Sequence, residues 1–310
     1  RLDQLQREVF GPVLHVLRWR RDELDALIDQ INATGYGLTG GVHTRIDETI
    51  ARVAARVNVG NLYVNRNLVG AVVGVQPFGG EGLSGTGPKA GGPLYLLRLL
   101  TRQPVGAERR AVQATGEADD LNENGLQRLP DVREQLQKTL RSQGHAALLD
   151  AVAKLFDSAP SSAPRVLPGP TGERNSYSLH PRRRVLCLAQ RSEDRLLQLA
   201  AVLAVGAQAV WPADAQHDWA RLPVELLAHI AVAPDWRAPG ADFDAVLLHG
   251  DAADALSVQR VLAARPGPIV GLTVLRPGAT DVPLARLLTE RSTSVNTAAA
   301  GGNASLMTLG

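Results

Sequence analysis

Residues 22–44 read D-E-L-D-A-L-I-D-Q-I-N-A-T-G-Y-G-L-T-G-G-V-H-T. Leu24, Leu27, Ile28 and Ile31 fall three and four apart, on one face of a helix, and Gly35 supplies the stop. The spacing predicts a helix over 22–32 and a strand in the Y-G-L-T-G-G-V-H-T that follows. Ile50, Val53, Ala54 and Val57 then repeat the helical spacing over 47–57, and V-G-N-L-Y-V-N from Val59 to Asn65 reads as a second strand. Helix and strand alternate, which is the pattern of an α/β fold with parallel strands.

The same alternation returns at the far end of the chain, beginning near Val166. Apolar strands are predicted around Val185 to Ala189, Ala209 to Trp211, Ala245 to His249 and Ile269 to Leu275. Helices are predicted between them over 191–205, where Leu196, Leu197, Ala200, Leu203 and Ala204 precede Gly206, and over 252–264 and 282–290. This is a Rossmann-like three-layer unit. None of its strands leads into G-x-G-x-x-G, so cofactor binding there is not indicated. Between the two series the chain is polar and aperiodic after Pro104, then amphipathic over 131–142 and 145–156, and S-A-P-S-S-A-P from Ser158 to Pro164 punctuates it. The expected division is residues 1–104, a linker with amphipathic helices over 105–164, and a second domain over 165–310.

The 310 residues are 45% hydrophobic, enough for two cores. Net charge is +2, from 33 basic and 31 acidic residues, a balance that does not make a nucleic-acid surface. The run Arg182-Arg183-Arg184 stands directly before V-L-C-L-A and reads as the solvated entrance of a strand rather than a phosphate patch. The single cysteine, Cys187, excludes an internal disulfide or a cysteine zinc site and fits a reducing compartment. Its apolar neighbours make it a packing residue, not a nucleophile. The seven histidines show no metal-ligand spacing, and no run of eighteen apolar residues suggests a membrane span. A cytoplasmic location is expected. The chain opens on Arg1 in R-L-D-Q-L-Q-R, which reads as the middle of a helix and so as a piece of a longer polypeptide.

Nine glycines crowd between Val69 and Pro93. Such density belongs where backbone turns sharply or approaches a ligand. Two phosphate motifs fail on spacing. Lys89 follows Pro88 and precedes Ala90, so there is no Walker pattern, and Gly85, Gly87 and Gly91 give G-x-G-x-x-x-G. Phe78, the one aromatic of the run's glycine-rich part, either plugs the loop into the core or walls a small-molecule pocket.

Glu8 stands in E-V-F-G-P. A carboxylate can accept from both hydroxyls of a ribose while Phe10 packs on a flat heterocycle; on the motif alone, a solvated helix residue and a core ring are the plainer reading. One internal echo joins the two halves: Val64-Asn65 precedes Gly70 as Val295-Asn296 precedes Gly301. The second domain then reads as a degenerate copy of the first, with chance as the competing account.

E-V-F-G-P at 8–12, Y-G-L-T-G-G-V-H-T-R at 36–45 and Q-P-F-G-G-E-G-L-S-G-T-G at 76–87 resemble the aldehyde dehydrogenase superfamily. G-A-V-V-G-V-Q-P-F-G-G with G-P-K-A-G-G-P-L-Y-L-L-R resembles its branch that oxidises L-glutamate γ-semialdehyde. L-P-G-P-T-G-E-R-N at 167–175 and S-V-N-T-A-A-A-G-G-N-A-S-L-M-T at 294–308 are similar to the end of the long proline utilization A family.

The resemblance implies a fold made of the end of an aldehyde dehydrogenase catalytic domain, followed by a noncatalytic domain of aldehyde-dehydrogenase-like, Rossmann-like fold. It implies that Glu8 holds the nicotinamide ribose of NAD and that Phe10 packs near the nicotinamide. Gly70 and Ala71 would anchor the substrate carboxylate, with Phe78 flanking the aliphatic chain. Relatives often carry serine where Ala71 stands, so one hydrogen bond would be missing.

In the family a cysteine thiolate attacks the aldehyde, hydride passes to NAD, and a glutamate-activated water releases the acid. No residue here matches that nucleophile or base, so no catalytic residue and no metal ligand is expected in this chain. FAD would belong to an upstream proline dehydrogenase domain. The implied partners are glutamate semialdehyde, the upstream domains of the same polypeptide and a second copy in a homodimer. Nucleic acid would be met only through an N-terminal domain outside this chain, and the inner membrane only peripherally by the parent. The second domain would serve as a lid over a substrate-channelling tunnel.

Overall fold

The computed structural model of the chain describes residues 2–5, 7–100, 103–104, 106–119 and 130–298. Its first section runs α1 (Leu24–Ala33), β1 (Tyr36–Gly37), β2 (Thr39–Val42), α2 (Asp47–Arg56), β3 (Asn61–Val64), β4 (Glu81–Gly82) and α3 (Tyr95–Arg98). It continues through α4 (Ala107–Ala114), β5 (Glu117–Ala118), α5 (Pro130–Ser142) and α6 (Leu149–Ser158). Next come β6 (Arg165–Leu167), β7 (Glu173–Pro181), β8 (Arg184–Ala189), α7 (Ser192–Ala204) and β9 (Gln208–Pro212). The last section holds α8 (Gln216–Trp219), α9 (Val224–Leu227), β10 (Ile230–Ala233), β11 (Ala245–His249), α10 (Ala252–Ala263), β12 (Gly271–Leu275) and β13 (Leu288–Asn296).

The second half contains the expected α/β unit. Its five strands are parallel where paired and lie in the order β10-β9-β8-β11-β12, so the order reverses about β8 and β11 as in a doubly wound sheet. Successive residues point to opposite faces. Val185, Cys187, Ala209, Trp211 and Leu247 pack with α7 on one face, while Leu186, Leu188, Val210, Val246 and Leu248 pack with Val258 of α10 on the other. Asp251 caps α10 by accepting from the N–H groups of Ala253 (2.8 Å) and Asp254 (2.9 Å). Gly206 follows α7 with φ +78°, a conformation that β-carbon sterics reserve largely for glycine.

The segment expected as a linker carries α4, β5, α5 and α6. Val112, Leu136, Leu140, Val152 and Leu155 bury into the same apolar cluster as α7, which is therefore covered on its outer side as well. Helix α4 escapes a periodicity reading because Val112 is its one buried residue. The tip of the expected linker, residues 120–129, lies outside the described residues.

Two expectations are corrected. The helix predicted over 282–290 is instead a single 3₁₀ turn, Leu284–Leu287, followed directly by β13. Val282, Leu284, Leu287 and Leu288 are buried, and a short apolar run of that kind fits either period. The strand expected over Tyr36 to Thr44 is broken at Leu38: β1 pairs antiparallel with β4, and β2 pairs parallel with β3.

The six-stranded sheet has the order β2-β3-β13-β7-β6-β5, so the strand nearest the end of the described chain lies beside one from its first quarter. β13 runs parallel to β3 and antiparallel to β7 over its whole length. The echo noted in the sequence falls in register, Val295 opposite Val64, and Asn296 Nδ2 donates to the Asn65 carbonyl at 3.2 Å. Gly301 and the rest of the small-residue tail, residues 299–310, lie outside the described residues.

Candidate functional site

The glycine stretch leaves β3 and folds into two parts. In the first, Val75 and Gln76 donate backbone N–H groups to the Val72 carbonyl at 3.1 and 3.0 Å, making a tight turn. The Gln76 side chain fastens that turn: its Oε1 accepts from Val72 N at 3.0 Å, and its Nε2 donates to Asn175 Oδ1 of β7 at 2.8 Å. The N–H groups of Gly70 and Ala71 donate to no protein acceptor among the described residues. A methyl group built on Gly70 would meet nothing within 4 Å, so the approach to these two amides is open.

In the second part Phe78 and Ala90 exchange backbone hydrogen bonds of 3.0 and 2.9 Å, closing a loop over Gly79 to Lys89. Phe78 is half-buried at its neck. The loop presses on the chain just before β3: a β-carbon on Gly60 would lie 1.9 Å from the Gly79 carbonyl oxygen, so any residue but glycine would force the loop away.

Beneath the loop lies a buried polar seam. Lys89 reaches under it to donate Nζ–H to Asn61 Oδ1 at 2.9 Å and to the Gly79 carbonyl. Burial pulls its ammonium down to about 8, against the fields of Glu290 and Glu81. Glu290 of β13 accepts from the Lys89 backbone N–H at 2.7 Å and from the Tyr177 hydroxyl at 2.7 Å, and burial raises its carboxyl. Arg291 donates to the carbonyls of Ala54 (2.7 Å), Val57 (2.8 Å) and Val59 (3.2 Å), gathering the end of α2. Ser292 Oγ donates to the Pro77 carbonyl at 2.7 Å. The bonds of Glu290, Arg291 and Ser292 to Lys89, Ala54, Val57, Val59 and Pro77 join β13 to the glycine stretch and its support.

Glu8 and Phe10 sit on the irregular, exposed segment from Arg7 to Arg20, and Phe10 is 95% exposed, not the core ring of the plainer reading. Cys187 lies in the middle of β8 with no exposure, and burial pushes its thiol up to about 12, a setting for packing. Of the expected site residues, Gly70 and Ala71 lie in the first part of the glycine stretch and Phe78 at the neck of its second, while Glu8 and Phe10 lie on a separate exposed segment. The seam residues Asn61, Gln76, Lys89, Asn175, Tyr177 and Glu290 went unnoticed in the sequence. Asn61, Gln76, Lys89 and Asn175 stood in quoted stretches without a role, while Tyr177 and Glu290 are ordinary polar residues of unmarked strands.

Among the described residues no group of His, Cys, Asp and Glu could hold a metal ion, and no helix is long and apolar enough to cross a membrane.

Residues 2–105, about a third of the chain, match the family model of the aldehyde dehydrogenase family. Over nearly its whole length the chain is similar to the PutA proteins. It is 54% identical over 318 positions to "Bifunctional protein PutA" of Salmonella typhimurium, covering 99% of this chain and 23% of that protein. The Escherichia coli protein of the same name is 52% identical over 311 positions, again 99% of this chain and 23% of the relative. The chain thus spans about a quarter of the length of these curated relatives. "1-pyrroline-5-carboxylate dehydrogenase" of Bacillus subtilis matches 93 residues at 47% identity, 30% of this chain and 18% of that protein. The solved structure of Proline Utilization A from Corynebacterium freiburgense superposes with a TM-score of 0.59 at 22% identity, over 96% of this chain and 26% of that one, a likeness of fold.

Proposed function

We propose that this chain forms part of an enzyme of proline catabolism that oxidises L-glutamate γ-semialdehyde to glutamate with NAD, and that the glycine loop binds the substrate's carboxylate. The observation that carries the reading is the pair of open, unused amides at Gly70 and Ala71, on a loop fastened from below by Gln76. Convergent backbone N–H groups bind a carboxylate well, and small side chains let it close. Phe78, half-buried at the neck of the next loop, would flank the aliphatic chain. The relatives named as 1-pyrroline-5-carboxylate dehydrogenases supply the substrate class.

The exposed carboxylate of Glu8 and the free face of Phe10 fit a nicotinamide ribose and its ring. NAD bound there would accept the hydride. The residues of this chain hold and orient: Glu8 accepts from the ribose hydroxyls, Phe10 covers the heterocycle, and Gly70 and Ala71 set the distance of the aldehyde from it. The nucleophile, the base and the FAD-bearing domain would lie upstream in the longer polypeptide, and the fragment alone would be inactive.

The second domain would act as a lid, with β13 as its attachment. Deleting residues 297–310 from the intact enzyme leaves β13 whole; a slower coupled conversion of proline to glutamate supports the lid, and unchanged coupling removes it from the reading. The carboxylate site is tested by steady-state kinetics of the intact enzyme on glutamate semialdehyde and on an aldehyde of equal length without the carboxylate. Ala71→Pro, which removes one amide donor, should erase most of the preference for the acidic substrate. An unchanged preference would falsify the assignment of the loop.

A further inference from the structure

Between the glycine stretch and the second domain lies a cleft of about 1060 Å³. Seven Lys and Arg residues line it: Lys89, Arg98, Arg182, Arg183, Arg265, Arg286 and Arg291. Four of these are occupied. Lys89 and Arg291 hold the seam. Arg183 pairs with Asp242, and Arg265 donates to the carbonyls of Ala238 and Ala241 while lying over the Phe243 ring.

The other three come from three separate elements. Arg98 ends α3, Arg182 stands between β7 and β8, and Arg286 lies in the 3₁₀ turn before β13. Arg182 donates Nε–H to the Arg286 carbonyl at 3.1 Å, Nη1–H to the Asp244 carbonyl at 3.5 Å and its backbone N–H to the Leu287 carbonyl at 2.9 Å, which ties it to the backbone of the 3₁₀ turn and keeps its charge without an acidic partner. None of the three has an ion pair among the described residues. Burial, and after it the fields of Arg286 and Arg182, holds the Arg98 guanidinium below its usual range.

The carboxylates of the cleft form no ion pair with this group among the described residues, although Glu108 lies in the field of Arg286 and Glu81 in that of Arg182. Asp244 accepts from the backbone N–H groups of Arg183 and Arg184, each at 3.0 Å. Glu108 accepts from Ala285 N–H at 2.8 Å, and Glu290 belongs to the seam. Glu81 lies in the fields of Arg291, Lys89 and Arg182, and burial raises its carboxyl.

We propose that Arg98, Arg182 and Arg286 form a binding site for a small polyanion, a molecule bearing two or more phosphate or carboxylate groups. Guanidinium forks match both groups bidentately, and three of them lining one cleft from different elements can recognise several charges at once. The cleft is of the size that holds a metabolite. The site is separate in role from the carboxylate loop at Gly70 and Ala71, which uses backbone amides. It also divides the arginine run that the sequence presents as one solvated entrance: Arg183 and Arg184 are spent on Asp242, while Arg182 faces the cleft.

The test is isothermal titration calorimetry on the intact polypeptide that carries this chain, with pyrophosphate in one arm and citrate in the other. At least one should bind saturably at one site, more weakly as salt is added, and the arm that responds names the ligand class as phosphate or carboxylate. R98Q and R286Q should each weaken that binding roughly ten-fold, about 1.4 kcal/mol. Arg98 is exposed, so R98Q keeps its fold and remains decisive even if R286Q does not. R183Q lines the same cleft with its charge already paired and should leave affinity within about two-fold of the parent, the ordinary effect of one exposed charge. Absence of saturable binding in both arms, or a loss with R183Q equal to that with R98Q, would overturn the proposal.

Discussion

The two sheets of this molecule bury their strands by opposite means. In the five-stranded sheet the inward residues are Val185, Cys187, Trp211 and Leu247 on one side and Leu186, Val210 and Leu248 on the other. In the six-stranded sheet β13 buries Glu290, Arg291, Ser292 and Ser294, each hydrogen-bonded to a partner from another part of the chain. Apolar burial is strong and non-directional, so it stabilises the second domain without choosing a partner. The polar seam contributes less per residue but fixes which strand lies against the glycine loop and in which register, because a slip by one residue would bury all of its polar groups unpaired.

The comparison can be broken at its apolar end first. Leu247→Ala in β11 removes a fully buried side chain and should cost about 2–5 kcal/mol, read as a lower urea midpoint for the second domain. Arg291→Ala leaves the carbonyls of Ala54, Val57 and Val59 without their donor and should cost about 2–3 kcal/mol. Its signature is local: amide exchange should quicken in α2 and β3 while the five-stranded sheet keeps its protection. Equal loss in both sheets would mean that the seam is not a separate unit.

The seam also has a pH signature. His180 of β7 lies 2.9 Å from Ser178 Oγ, and burial together with the Arg291 charge lowers its imidazole to about 4. The folded state therefore binds fewer protons here than the unfolded chain between about pH 6.5 and pH 4, so stability falls as pH drops through that window and the loss is complete below it. The contribution is of order 2 kcal/mol after discounting residual exposure. Urea midpoints measured from pH 7 to pH 4 should fall less steeply in His180→Gln than in the parent. The smallest effect belongs to the rim of the glycine loop. Ala71→Ser in the intact enzyme should lower KM for glutamate semialdehyde a few-fold, equivalent to about 0.5–1 kcal/mol from one added hydrogen bond.

The same contrast decides what could be read from the sequence. Ala245 to His249 was legible to the residue as β11 because five consecutive buried residues write themselves into local hydropathy. β7 and β13, each nine residues long, were not. Their buried faces carry Asn175, Tyr177, Glu290, Ser292 and Ser294, which no hydropathy pattern marks as interior. The glycine stretch was legible as irregular backbone that turns sharply, and close packing explains several of its glycines: a β-carbon on Gly82 would lie 2.3 Å from the Gly35 carbonyl oxygen. What holds the stretch was not legible, because the bond from Lys89 N–H to Glu290 spans 201 positions. The arginine run stands at the entrance of β8 as read, but its pairings were not legible: Arg183 and Arg184 both meet Asp242, nearly sixty residues on.

The place of β13 between β3 and β7 sets a timetable for synthesis. The Val59 carbonyl meets Arg291 only after 232 further residues have been added. At about 5–20 residues per second, that is a wait of roughly ten to fifty seconds. Through that interval the Lys89 backbone N–H lacks Glu290 and the Pro77 carbonyl lacks Ser292. A chain stopped before β13 would carry a finished five-stranded sheet and a glycine loop without its seam.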